Sequence, residues 1–181
     1  MIELRYAKKE ELEELVALFA EGFVHDPLYC HYIPYEQERE GILQQIFRKY
    51  LTDCWDVITV LVTPELSAAM CICPSDGEET ERVILPAHVQ KVYEQISQCV
   101  APQFYRDYLV LDLLAVRPSH RGKGLARALA EEFRRVAKAA GKIGVVEIYE
   151  PENLGFYEKT GFRLTHIQPV GETLSAYLLE S

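Results

Sequence analysis

The sequence predicts one α/β domain of mixed, α+β type, built on a single mixed sheet. Three observations carry this. Apolar stretches of strand length alternate with longer stretches of helical periodicity. The stretch from Tyr105 to Val116 is nearly continuous in apolar residues, as expected of a central strand covered on both faces. The chain has 181 residues, 49% of them hydrophobic, which suits one sizeable core and excludes global disorder.

The elements follow in order. Ile2 to Ala7 alternates as a short strand, and Lys8 to Phe23 places Leu12, Leu15, Val16, Phe19 and Phe23 on one helical face. Asp26-Pro27 breaks that helix, and a second covers Gln37 to Leu51. Val57 to Val62 and Leu66 to Cys73 form a hairpin around Thr63-Pro64-Glu65. Residues 78–103 read as an insertion in which Val89, Val92, Tyr93 and Ile96 suit a helix. After the central strand a helix runs to Ala140 and stops at Gly141, with Leu125, Leu129, Phe133, Val136 and Ala140 inward and Glu131, Arg134, Arg135 and Lys138 in water. Val145 to Tyr149 is a strand, Leu154 to Thr160 a short helix closed by Gly161. Phe162 to Val170 and Thr173 to Leu179 are a last strand pair.

Charge and cysteines bound the function. A net charge of −9 argues against a general nucleic-acid binder, which needs a basic footprint. It is compatible with cationic substrates and equally with a plain solubility role. No apolar run is long enough for a membrane span, and the N-terminus lacks a signal-peptide pattern. Cys30, Cys54, Cys71, Cys73 and Cys99 are odd in number and lack a framework spacing, so reduced thiols in a cytoplasmic protein are expected. Cys71 and Cys73 share a strand face and suit core packing. Neither they nor the five histidines show metal-ligand spacing, so no metal is expected.

The chemistry concentrates in "HRGKGLA", His120 to Ala126. It lies between the central strand and the amphipathic helix behind it. A helix start leaves its first N–H groups unpaired and partly positive, and glycine lets the chain wrap an anion closely. Arg121, Lys123 and Arg127 add charge on the same side, so a phosphate or pyrophosphate is the natural guest. A glycine-containing surface turn before an ordinary helix would satisfy the same pattern. Neither a P-loop nor a dinucleotide fingerprint is present.

The segment Arg121-Gly122-Lys123-Gly124-Leu125-Ala126 resembles the Arg/Gln-x-x-Gly-x-Gly/Ala signature of the GNAT acetyltransferase superfamily. Its context, "LDLLAVRPSHRGKGLARAL", is similar to that family's central strand, loop and helix. Downstream, "ENLGFYEKTGF" resembles its Asn-x-x-x-Tyr-x-x-x-Gly-Phe segment. Weaker likeness in "FVHDPLYCHYIP" and "AAMCICP" points to small-molecule, puromycin N-acetyltransferase-like members.

The resemblance implies a GNAT-like fold, with a mostly antiparallel, splayed sheet of about seven strands flanked by helices. It implies acetyl-CoA as acyl donor and transfer to a small-molecule amine, with no metal, and it leaves room for a homodimer. Backbone at Leu114, Ala115 and Val116 would pair with the pantetheine arm, and amides of Gly122, Lys123, Gly124, Leu125 and Ala126 would hold the pyrophosphate. Arg121 and Lys123 would lie near the phosphates, and Asn153 would bond the pantetheine region. Tyr157 would protonate the departing thiolate.

Acyl transfer also needs a neutral amine, and one of pKa about 10.4 is neutral in only about one part in 2,500 at pH 7. Asp112 and Glu147 are lone charges in their strands, with Asp112 on the strand face of Leu114. Each is a candidate base and equally a candidate structural carboxylate. Tyr29, Tyr32 and Tyr35 are candidates for lining an acceptor pocket. Acetylation of protein lysines or N-termini, and a non-catalytic acyl-CoA sensor, are the alternative functions.

Overall fold

The computed structural model describes residues 2–75, 80–98 and 107–181. Seven strands form one sheet: β1 Arg5–Tyr6, β2 Thr59–Val62, β3 Ala68–Pro74, β4 Tyr108–Val116, β5 Ile143–Ile148, β6 Arg163–Val170 and β7 Leu174–Glu180. Their order is β1-β2-β3-β4-β5-β7-β6, antiparallel except for the β4–β5 pair. The helices are α1 Leu12–Phe23, α2 Pro27–Tyr32, α3 Glu36–Cys54, α4 Ala87–Ser97, α5 Leu125–Ala139 and α6 Leu154–Lys159.

Strand alternation sorts the core into two layers. On β3, Ala69 and Cys71 join the cluster formed with α1, α3 and α4, while Ala68, Met70 and Ile72 join the cluster formed with α5 and α6. Cys71 is buried and Cys73 packs partly buried on the same side, as core cysteines do.

Several expected boundaries shift. β1 keeps only two residues because it is an edge strand paired with β2 alone, and the chain turns into a 3-10 segment at Lys9. α1 ends at Phe23 as expected, and Asp26-Pro27 also opens a further helix, α2, with Asp26 Oδ1 accepting from Leu28 N at 2.9 Å and proline in the first turn. α3 continues to Cys54, because Asp53 forms a buried pair with Lys49 one turn earlier, Nζ to Oδ2 2.7 Å. α5 directs Ala137 rather than Ala140 inward. Arg134 is not in water either, since it donates to Thr160 O at 2.8 Å and ties α5 to the end of α6. Of the expected insertion, the described part holds α4, and the remainder lies outside the described residues.

The departure that matters most is a β-bulge. Cys71 faces Leu113 and Ile72 faces Leu111, which leaves Asp112 as the extra residue. Before it, Leu109 and Leu111 face the α5 layer; after it, Leu113 and Ala115 face the α1 layer. Leu114 therefore packs in the α5 layer, and the expectation that it shares a strand face with Asp112 is corrected.

Candidate active site

β4 and β5 pair only from Tyr108–Ile143 to Leu111–Val146. Beyond that point β5 continues with β7 through Glu147 and Ile148, while β4 continues with β3 alone. The sheet opens at Asp112 and Glu147, the two lone strand charges. Among the described residues, the backbone of β4 from the bulge to Val116 keeps a sheet edge with no strand on its β5 side.

Two cavities meet this opening, one of about 450 Å³ and one of about 420 Å³, and both are lined by Leu114. The smaller runs over Leu114, Ala115 and Val116 to Arg121, Gly122, Gly124, Leu125, Ala126 and Arg127. Gly22 of α1 also lines it. A Cβ there would stand 2.6 Å from the Ala115 Cβ, so glycine lets α1 close on β4. Gly122 and Gly124 have φ of +76° and +80°, left-handed values that favour glycine, and Gly124 caps α5. The amides of residues 122–127 meet no acceptor among the described residues, whereas Ala128 N already bonds Gly124 O. Unpaired amides at a helix start, with Arg121 and Lys123 exposed beside them, form an anion cradle. The Arg121 side chain folds back, Nε to Val116 O 3.4 Å, and Arg127 pairs with Glu131 at 2.8 Å. The backbone therefore carries the cradle more than the side chains do.

The larger cavity holds Asp112, Glu147, Asn153 and Tyr157 together. Tyr157, one turn into α6, is 7% exposed and packs edge-on against Phe156 and Phe162. Burial raises its phenol above the ordinary value, with the Asp26 charge adding to the effect, so it stays protonated. Its hydroxyl makes no hydrogen bond among the described residues. Burial also pushes Glu147 up to about 7, against a hydrogen bond from Tyr149 Oη that favours the ionised form. Asp112 is exposed on the cavity surface, and desolvation by the surrounding protein raises its pKa, with Tyr50 opposing the shift. The Tyr50 hydroxyl turns toward Asp112 but is buried without a partner at hydrogen-bonding geometry. Asn153 is exposed at the cavity rim, Nδ2 to Glu150 Oε2 3.1 Å, where α6 begins.

Sequence reasoning missed Asp26 and Tyr50. Asp26 read as a helix stop and Tyr50 simply as part of the helix from Gln37 to Leu51, yet both line this cavity. Asp26 is a mostly buried carboxyl pushed up to about 6 by desolvation, in part offset by the Leu28 amide. Of the three candidate tyrosines, only Tyr29 lines it; Tyr35 is 68% exposed. No group of three His, Cys, Asp or Glu able to hold a metal occurs among the described residues. No described helix is long and apolar enough to cross a membrane.

Residues 82–164 match the family model of the acetyltransferase (GNAT) domain. The matched span includes β4, the glycine loop, α5, β5 and α6. The fold is the GNAT fold. A Corynebacterium glutamicum structure described as histone acetyltransferase HPA2 and related acetyltransferase superposes with a TM-score of 0.70 at 17% identity, covering 97% of this chain and 93% of that one. The PaiA N-acetyltransferase of Thermoplasma acidophilum, in complex with coenzyme A, superposes at 0.63 and 17% identity, covering 100% and 98%. The C-terminal condensation domain of Ebony, in complex with beta-alanyl-dopamine, superposes at 0.70 and 12% identity, covering 100% and 99%.

Proposed function

We propose that this protein is an acetyl-CoA-dependent N-acetyltransferase acting on a primary amine of a small molecule, by direct attack in a ternary complex. The observation that carries the reading is the junction of the two cavities at Leu114. It joins an anion cradle and a free strand edge to a chamber holding three carboxylates and a phenol.

The residues fit coenzyme A. The free amides of 122–126 suit a pyrophosphate, and the β4 edge at Leu114 to Val116 suits an extended amide-bearing arm. The bound thioester supplies an activated acetyl group. The chain's own residues handle the protons. Glu147, at about 7, is half ionised near neutral pH, which suits a base that takes a proton from an ammonium directly or through water. Asp112, on the facing side of the opening, adds negative charge that favours a cationic acceptor. Tyr157, protonated throughout the working range, is the donor to the departing sulfur. Cys73 also lines the chamber, but burial pushes its thiol up to about 11, so it is a poor nucleophile and direct attack is favoured over an acyl-cysteine. A chamber of about 450 Å³ suits a small molecule, the acceptor class of the puromycin N-acetyltransferase-like members.

The test is coenzyme A release over an amine panel with wild-type and Tyr157→Phe enzyme. Turnover should fall about 10²–10⁴-fold in kcat, with little change in KM. An unchanged kcat removes the acid role. Coenzyme A binding without turnover of any amine removes the enzymatic reading in favour of an acyl-CoA sensor.

A further inference from the structure

The larger cavity contains three carboxylates, Asp26, Asp112 and Glu147, and no lysine, arginine or histidine among the described residues lines it. None of the three is in an ion pair among the described residues. They come from three separate elements: the cap of α2, the bulge of β4 and the second-last position of β5. They do not converge on one point as metal ligands would. Between them the wall is aromatic, with Phe23, Tyr29, Phe47, Tyr50 and Tyr93. Tyr29 is 7% exposed and, like Tyr157, makes no side-chain hydrogen bond among the described residues, and the Tyr50 hydroxyl is buried without a partner there, so three hydroxyls of the wall are available to a ligand.

Spread carboxylates ask for spread positive charge, because each ionised group in a desolvated chamber is costly without a counter-ion. The amine that attacks the thioester must be neutral when it does so, and its proton goes to the base at the sheet opening. It can satisfy none of the remaining charge. A second basic nitrogen on the acceptor can, and aromatic faces suit both a methylene stem and a cation.

Building on the acetyltransferase reading above, we propose that the acceptor is a small diamine, and that Asp26 binds the ammonium that is not acetylated. Asp26 is the group left for this role, since Asp112 and Glu147 flank the sheet opening where the attack takes place. Its Oδ1 accepts from Leu28 N, which fixes the carboxyl at the start of α2 and leaves Oδ2 for the ligand. The Arg39 guanidinium donates to Ile33 O at 2.8 Å and to Val24 O at 2.9 Å, so the segment that carries Asp26 is held on both sides.

The experiment compares 1,5-diaminopentane with pentylamine, using wild-type enzyme and Asp26→Asn. Asparagine keeps a side-chain oxygen for Leu28 N and so preserves the helix cap. In the wild type the diamine should exceed the monoamine about tenfold or more in kcat/KM, chiefly through KM, and Asp26→Asn should reduce that ratio about tenfold. Calorimetric binding of both amines in the presence of coenzyme A is measured alongside. Equal kcat/KM for the two amines in the wild type overturns the diamine assignment while leaving acyl transfer intact. A diamine preference unchanged in Asp26→Asn overturns the role of Asp26. Diamine-selective binding that Asp26→Asn weakens, without turnover of either amine, supports the inference and removes the acyl-transfer reading. Neither binding nor turnover of the diamine overturns both.

Discussion

Glu147 shows how much a single carboxyl gains from its surroundings. Its ordinary value near 4.5 rises to about 7 through burial, with Tyr149 opposing and Asp112 adding to the shift. The folded state therefore holds a proton that the unfolded state has released between about pH 4.5 and 7, and stability falls as pH rises through that window. The cost has a ceiling of about 3 kcal/mol at pH 8, reduced by the partial exposure of the group. Glu147→Gln should match wild type in Tm at pH 4 and exceed it by a few degrees at pH 8. Wild type should show a rise of kcat/KM through about pH 7 that the same variant loses; a retained limb would move the base role to Asp112. Asp112 and Glu147 were legible in the sequence because a lone charge inside an apolar strand is costly unless it lines a cleft. Asp26 was not, because Asp-Pro carries a complete local explanation as a helix boundary, and its place in the chamber depends on residues more than eighty positions away.

Elements decide how the chamber is closed. α4 supplies Tyr93, Ile96 and Ser97 to the wall, and its approach is anchored from α3. Asp53 Oδ1 accepts from Arg82 N at 2.8 Å and Val83 N at 3.0 Å, while Lys49 Nζ donates to Val83 O at 2.9 Å and lies 5.5 Å from the Tyr93 ring centroid. Asp53→Ala would leave the buried Lys49 ammonium with only the exposed Glu81 carboxylate, 3.7 Å away, at a cost of up to about 3–5 kcal/mol by chemical denaturation. It should also raise KM for the amine more than KM for acetyl-CoA, because the tether holds the acceptor wall and not the anion cradle. Equal changes in both would show that the effect is global. The helical period of 89–96 gave this helix its existence. Its docking came from a buried ion pair that no periodicity reveals.

The whole molecule is a sheet split along one seam, where two cavities meet at Leu114. Coenzyme A should stabilise it by mass action, about 2.7 kcal/mol at a hundredfold excess over Kd, read as a rise in Tm. Gly124→Ala forces an L side chain to φ +80° and should cost about 1–2 kcal/mol. It should also weaken coenzyme A binding by distorting the amides of the cradle; unaltered affinity would place the pyrophosphate elsewhere.

The sequence by itself determined the kind of fold, the order of its elements and the place of the glycine loop before α5. Periodicity, turn chemistry and glycine spacing are local properties, written in consecutive residues. Only the tertiary structure decided the seam and the chamber. The bulge at Asp112 exists because β3 and β4 fall one residue out of step. The opening exists because β5 leaves β4 for β7 after four paired positions. Both depend on pairing between distant strands, which is set by how whole faces pack. The "HRGKGLA" loop could be read as an anion site from its own residues, but its amides gained a direction, toward a free strand edge and an acidic chamber, only when the sheet around them was assembled.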